Sequence, residues 1–289
     1  MSPWNYVNAD RIQLGNKSNQ IWNILGVSVL DYFDLYKKFT YVRQESYKLN
    51  YIAKVELGEQ KLDNPYETFK DFYTKDYQRF VEYNIQDVEL VDRLEDKMKL
   101  IELCLTMAYD YKVNYTDVYS QVRCWDTIIY NHLLTKNIQI PPREDQIKDT
   151  QYEGAYVKDP QLGLHNWIVS FDLNSLYPHL IMQYNISPEM FVGTEPKAVG
   201  VENFLDERLN LKWAKDRNVT IAPNGAMFKR DKQGFLPELM EKMYTERVVY
   251  KKKAIEAKKE YQKTKDPIYS NEISRCHNIQ MAKKISLNS

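Results

Sequence analysis

Apolar positions along the chain fall into blocks separated by polar and proline-bearing stretches. Gly26-Val-Ser-Val-Leu30 is short and continuous, which predicts a strand running into a helical Asp31–Phe39 segment with apolar and aromatic residues at helical spacing. From Lys75 to about Tyr111 the spacing predicts a long helix pair, with Phe80, Tyr83, Ile85, Val88, Val91 and Leu94 as its buried stripe. Residues 136–166 carry Pro141, Pro142, Gly154, Pro160 and Gly163 and read as a connection between domains. Trp167-Ile-Val-Ser-Phe171 predicts a compact strand that delivers the carboxylate of Asp172 at its C-terminal end. From Pro237 to Lys265 helix propensity is nearly unbroken. Pro267 then predicts a turn, and Asn271–Ser289 the start of a second helix, so that the two form an antiparallel hairpin.

Composition narrows the class of protein. At 289 residues the chain has room for about two domains, and its 43% hydrophobic content argues against wholesale disorder. No apolar run approaches the roughly 18 residues that a membrane-spanning helix needs, and the polar N-terminus lacks a secretory apolar core. Cys104, Cys124 and Cys276 are scattered and form no disulfide framework, which suits a reducing, cytoplasmic setting. No Gly-x-Gly pair occurs, so phosphate handling here depends on side chains rather than a glycine loop.

The formal net charge of +0 conceals an asymmetry. Residues 226–289 hold 15 Lys+Arg against 8 Asp+Glu, whereas residues 1–225 hold 25 against 32. Seven lysines lie between Lys251 and Lys265. A basic helical segment beside an acidic body is a footprint for a polyanion, although charge alone fits a solvated lysine-rich face better. Two further patterns are absent: the four histidines show no paired metal spacing, and no Gly-x-Ser-x-Gly elbow occurs.

The most specific string is Ser170-Phe-Asp-Leu-Asn-Ser-Leu-Tyr-Pro178, whose D-x-x-S-L-Y-P core resembles the first palm motif of the family B (alpha-like) DNA polymerases. The likeness extends through Asn185-Ile-Ser-Pro-Glu189 and is nearest to the replicative polymerases of large tailed bacteriophages. Three more strings follow the family's order. Tyr83-Asn-Ile-Gln-Asp87 resembles the third motif of the proofreading exonuclease, Gly154-Ala-Tyr-Val157 the template-contacting linker, and Gln280–Ser289 the fingers motif.

The resemblance implies a mixed α+β fold. Residues 1–100 would end a ribonuclease H-like 3′-5′ exonuclease domain and 101–150 would connect. Residues 151–233 would form the first half of a polymerase palm and 234–289 an incomplete fingers hairpin. The implied reaction is template-directed addition of deoxynucleoside triphosphates to a primer 3′-hydroxyl with two Mg2+ ions. Asp172 and the carbonyl of Leu173 would be oxygen ligands. Ser175, Leu176 and Tyr177 would lie beneath the sugar and phosphates, with the Tyr177 ring excluding a 2′-hydroxyl. Arg247 and Lys251, four residues apart on one helix face, and Lys284 and Asn288, likewise spaced, would grip the triphosphate. Lys283 is left open. Asp87 would be an exonuclease metal ligand with Tyr83 one turn earlier, and Gly154, Ala155 and Tyr156 would contact DNA.

Two departures qualify the likeness. The family's second palm aspartate motif and its first exonuclease motifs are absent from these 289 residues. The expectation is a partial polymerase: split, interrupted by a self-splicing insert, or incomplete, and completed by a C-terminal palm-thumb chain or splice-joined segment. A non-catalytic DNA-binding or assembly module is the alternative.

Overall fold

The computed structural model describes residues 2–14, 17–40, 42–140, 142, 157–196, 200–202 and 212–288. The predicted DNA contacts at Gly154, Ala155 and Tyr156 lie outside them. The chain divides into two compact units, Met1–His132 and Leu133–Ser289.

The first unit is mainly helical. It opens with antiparallel strands β1 (Val7–Leu14) and β2 (Lys17–Ile24), in register from Val7 opposite Ile24 to Leu14 opposite Lys17. Their polar sequences carry no clean alternation, so cross-strand pairing rather than local pattern defines them. The predicted strand at 26–30 does not form. Gly26 turns the chain with φ +81°, and residues 27–30 pair with no strand among the described residues.

Helix α1 (Tyr32–Phe39) forms as expected, capped by the Asp31 carboxylate, which accepts from the Phe33 N–H at 2.8 Å. Helices α2 (Leu49–Leu57) and α3 (Phe69–Lys75) follow, and both pack on α4 (Tyr77–Met98), which leads into α5 (Leu100–Tyr111). A 3-10 turn (Tyr115–Tyr119) and α6 (Gln121–Thr135) complete the helical run. The core holds Leu35, Ile52, Phe72, Leu90, Leu94, Met107 and Tyr111, with Cys104 and Cys124 buried as free thiols. Burial pushes the Cys104 thiol up to about 11.

The α4 stripe differs from the expected one. Ile85 and Val88 are 53% and 63% exposed, while Leu90 and Leu94 are buried. At 100° per residue, positions 83, 87, 90 and 94 share one face, and 85 and 88 lie on the other side. The face that packs therefore carries a carboxylate, Asp87, among its apolar residues.

The second unit contains α7 (Leu176–Tyr184) and a three-stranded antiparallel sheet of order β3-β5-β4, with β3 Phe191–Thr194, β4 Val219–Ile221 and β5 Ala226–Lys229. A short α8 (Lys212–Asp216) packs on β4. The 30-residue α9 (Phe235–Thr264) and the 21-residue α10 (Pro267–Leu287) make the expected hairpin. Pro267 is the first residue of α10 rather than a separate turn, because a proline loses nothing at a position whose N–H has no intrahelical acceptor. The reversal is made by Lys265 in the left-handed region and by Asp266, whose carboxylate caps the Ile268 N–H at 2.9 Å.

The predicted strand at Trp167–Phe171 is absent. Trp167 has φ +60°, which breaks an extended run, and residues 167–171 pair with no strand among the described residues. Trp167 and Phe171 are 98% and 90% exposed. Five apolar residues become a strand only when a neighbouring ladder takes up their backbone groups.

Gly234 precedes α9 at a close approach. A Cβ there would stand 2.6 Å from the Cβ of Ser187. Gly234→Ala is expected to cost about 1–3 kcal/mol, read as a lowered thermal midpoint. An unchanged midpoint would mean that the chain relaxes freely around this position.

Candidate functional site

Ser175 sits at the N-terminal boundary of α7 with φ +55°, and its carbonyl accepts from the His179 N–H at 3.2 Å. The next two N–H groups, on Leu176 and Tyr177, meet no acceptor among the described residues. Pro178 has no N–H to satisfy. The start of α7 is thus an open pair of backbone donors at the positive end of a helix dipole.

Onto this opening α9 brings Arg247, whose Nη1 donates to the Ser175 hydroxyl oxygen at 3.1 Å. The Arg247 Nε is buried with no hydrogen-bond partner. Behind it, the His179 and Tyr244 rings meet edge to face with centroids 4.8 Å apart. Two residues 72 positions apart, each assigned to nucleotide binding from sequence, are therefore in direct contact.

The remaining predicted residues are placed less tightly. Asp172 and Leu173 are exposed just before α7, and Asp172 has no partner among the described residues. Tyr177 presents its ring to solvent on the first turn of α7. Lys251 is exposed one turn beyond Arg247; Lys284 is half-buried on α10, and Asn288 is the exposed residue that ends it. Lys283, left open by the sequence, is only 8% exposed and pairs with Glu246 of α9 at 2.7 Å. That neighbour holds the hairpin together. Adjacent lysines are indistinguishable in sequence until a partner helix decides which one is covered.

The first unit holds a separate cluster. The Lys61 ammonium lies 2.6 Å from Oδ2 of Asp87 and 4.7 Å from the Tyr83 ring centroid. Burial alone would lower the Lys61 pKa, but its bonds to Asp87 and Tyr83 reverse this and raise it. The other carboxylate oxygen, Oδ1 of Asp87, is buried and unpartnered. Sequence reasoning paired Tyr83 with Asp87 but missed Lys61, because 22 or more positions separate it from both. The only available signal was the need of a buried-face carboxylate for a cation.

Also unforeseen was the use made of Asn185-Ile-Ser-Pro-Glu189. Asn185 Oδ1 accepts from the Gly234 N–H at 2.9 Å, and Glu189 Oε1 accepts from the Phe235 N–H at 2.7 Å. These side chains finish the start of α9, which has no capping residue of its own.

Among the described residues no group of three or more His, Cys, Asp or Glu side chains converges. Asp172 offers an open carboxylate, and Asp87 one unpartnered oxygen, each a fragment of an oxygen-ligand set.

The family model for DNA polymerase family B matches residues 113–289. The chain belongs to that family. It is 36% identical over 261 residues to a DNA-directed DNA polymerase of Escherichia phage RB69, covering 89% of this chain and 28% of the relative. It is 34% identical over 254 residues to that of Enterobacteria phage T4, covering 87% and 27%. The Candida albicans DNA polymerase delta catalytic subunit is 28% identical over 284 residues, covering 95% and 25%. The chain thus spans about a quarter of the length of these relatives. The stretch matched by the family model contains Asp172 through Tyr177 and the whole α9–α10 hairpin. The Lys61–Asp87 cluster lies upstream of it. No helix among the described residues is long and apolar enough to cross a membrane.

Proposed function

We propose that this chain carries the nucleotide-binding half of a template-directed DNA polymerase, with α7 as the floor under the incoming deoxynucleoside triphosphate and α9–α10 as the fingers above it. The observation that carries this reading is the Arg247–Ser175 contact at the open start of α7. It sets a guanidinium beside the free N–H groups of Leu176 and Tyr177, as a triphosphate requires. Lys251 adds an exposed cation one turn further on, and Lys284 and Asn288 supply the second helix's share of the grip. In this reading residues 1–100 close an exonuclease domain, 101–150 connect, 151–233 form half of a palm, and 234–289 form the fingers.

Asp172 and the Leu173 carbonyl fit as part of a divalent-cation site, being exposed oxygen donors at the same opening. They do not make one alone. The second palm carboxylate implied by the family resemblance would come from a palm-thumb segment outside these residues. Bound Mg2+ would supply Lewis-acid stabilisation of the triphosphate and the primer hydroxyl. What this chain's residues do is bind, orient and screen. In the first unit, Oδ1 of Asp87 fits a partial exonuclease ligand set, with Lys61 holding the carboxylate in place.

The test is titration of the purified chain with dATP and Mg2+, then primer extension after adding a palm-thumb chain from a relative. Saturable triphosphate binding, and synthesis abolished by Asp172→Ala, are expected. Binding of primer-template DNA with neither triphosphate binding nor synthesis would favour the DNA-binding or assembly module. The exposed Lys251, Lys252, Lys253, Lys258 and Lys259 on α9 are the feature that speaks for that second reading.

Tyr177 yields a separate expectation. Its exposed ring on the first turn of α7 would occupy the space beside the sugar, so Tyr177→Ala is expected to bring ATP affinity within a few-fold of dATP. An unaltered preference for dATP would remove Tyr177 from sugar selection.

A further inference from the structure

The first helical turns of α7 and α9 are treated in opposite ways. At α9 every donor is answered. The Gly234 N–H goes to Asn185 Oδ1 at 2.9 Å, the Phe235 N–H to Glu189 Oε1 at 2.7 Å and the Leu236 N–H to Ser187 Oγ at 3.4 Å. The fourth residue, Pro237, has no N–H. Asn185 is tied down in turn, its Nδ2 donating to the carbonyls of Lys229 at 2.6 Å and Lys232 at 2.9 Å. The Ser187 hydroxyl donates to Glu189 Oε2 at 2.5 Å. Ser187 is fully buried, and Glu189 lays its charge against the positive end of a 30-residue helix.

Asn185 is also the residue that ends α7, in the left-handed region at φ +56°. The two helices therefore run antiparallel and are joined at both ends of α7. At one end Asn185 joins the close of α7 to the start of α9; at the other, Ser175 at the start of α7 meets Arg247 on α9. The His179–Tyr244 ring contact lies between them. Arg247 stands 12 residues beyond Phe235, roughly 18 Å along the axis at 1.5 Å per residue. A tilt of about 5° at the base would move Arg247 by about 1.6 Å, enough to break a hydrogen bond.

We propose that Asn185, Ser187 and Glu189 are positioning residues: they set the angle at which α9 leaves the α7 end, and through it the placement of Arg247 over Ser175. They touch no nucleotide. This rests on the nucleotide-site reading for its consequence, and on geometry alone for the lever itself.

The test uses the whole chain with nitroxides on keto-bearing residues introduced at the exposed positions Asn174 and Thr245, leaving the three buried cysteines intact. A narrow distance distribution is expected. At a temperature where the chain is folded, Glu189→Ala and Asn185→Gly, the latter keeping the left-handed backbone accessible, are expected to shift or broaden it. Glu189→Gln, which retains the acceptor for Phe235, is expected to restore it. Leu94→Ala in the other unit, matched for lost thermal stability, is expected to leave it unmoved. If Glu189→Ala fails to fold, Ser187→Ala takes its place. Distributions that stay narrow and unshifted in Asn185→Gly and in Glu189→Ala, or in the Ser187→Ala that replaces it, overturn the proposal. In parallel, Glu189→Ala is expected to weaken dATP–Mg2+ binding at least tenfold. If the wild-type chain binds no dATP, the nucleotide-site reading fails while the distance measurement still decides the lever.

Discussion

Arg247→Ala is expected to weaken dATP–Mg2+ binding by about a hundredfold or more, the largest loss of any single change at the opening of α7. The guanidinium is held there by the Ser175 hydroxyl at 3.1 Å, and its Nε is buried without a partner. A donor already out of water and still unsatisfied gains more from an anionic acceptor than an exposed one. Charge-assisted bonds of this kind contribute about 1.5–3 kcal/mol each, and a fork to phosphate makes two. Arg247→Lys keeps the charge but loses the fork, so it is expected to recover only part of the affinity. Calorimetric titration at fixed ionic strength is the measurement, because exposed Lys251 adds a salt-sensitive background. If R247A binds dATP as the wild type does, Arg247 is a strut between α7 and α9 and the triphosphate lies elsewhere.

Phe72→Ala is expected to destabilise the first unit by about 3–5 kcal/mol, enough to lower its thermal midpoint by roughly 10 °C or more. Phe72 is fully buried and is the hub of an aromatic cluster. Its ring stacks on Tyr66 at 5.5 Å and meets Phe80 and Tyr83 edge to face at 5.5 and 5.7 Å. Deleting it removes the transfer energy of a phenyl group and leaves a cavity that stiff aromatic neighbours cannot collapse into. It also frees one side of Tyr83, which Phe69 and Lys61 flank elsewhere. The loss is therefore expected to be accompanied by faster amide exchange around residues 61 and 83. Phe72→Leu, which keeps most of the volume, is expected to retain more than half of the lost stability. A Phe72→Ala melt like that of the wild type would show that the cluster is not cooperative with the rest of its unit.

The α9–α10 hairpin was legible because helix formers run without interruption and a proline and an aspartate mark the junction. The helix pair α4–α5 was legible for the same reason. The predicted strands at 26–30 and 167–171 failed together, since a run of apolar residues specifies burial or pairing and not which of them it obtains. Gly26 and Trp167, both with positive φ, turn the chain at the head of each run. On α4 Tyr83 and Leu94 lie on the packed side as expected, and Ile85 and Val88 do not. Ile85 and Val88 point outward because the buried stripe is set by what α2 and α3 present to the helix, and that stripe includes Asp87.

The family, and the identity and order of the residues proposed here for nucleotide binding, are legible in the sequence alone. These depend on local strings such as Asp172–Pro178 and on the i, i+4 spacing of Arg247 and Lys251, both independent of long-range packing. Tertiary structure alone decided which of these residues meet. It set Arg247 on Ser175, covered Lys283 while leaving Lys284 at the margin, placed Lys61 against Asp87, and turned the Asn185–Glu189 string into the base of α9. Each of these pairings satisfies a buried or helix-terminal polar group with a partner 26 to 72 residues away, and nothing in local pattern encodes such a partner.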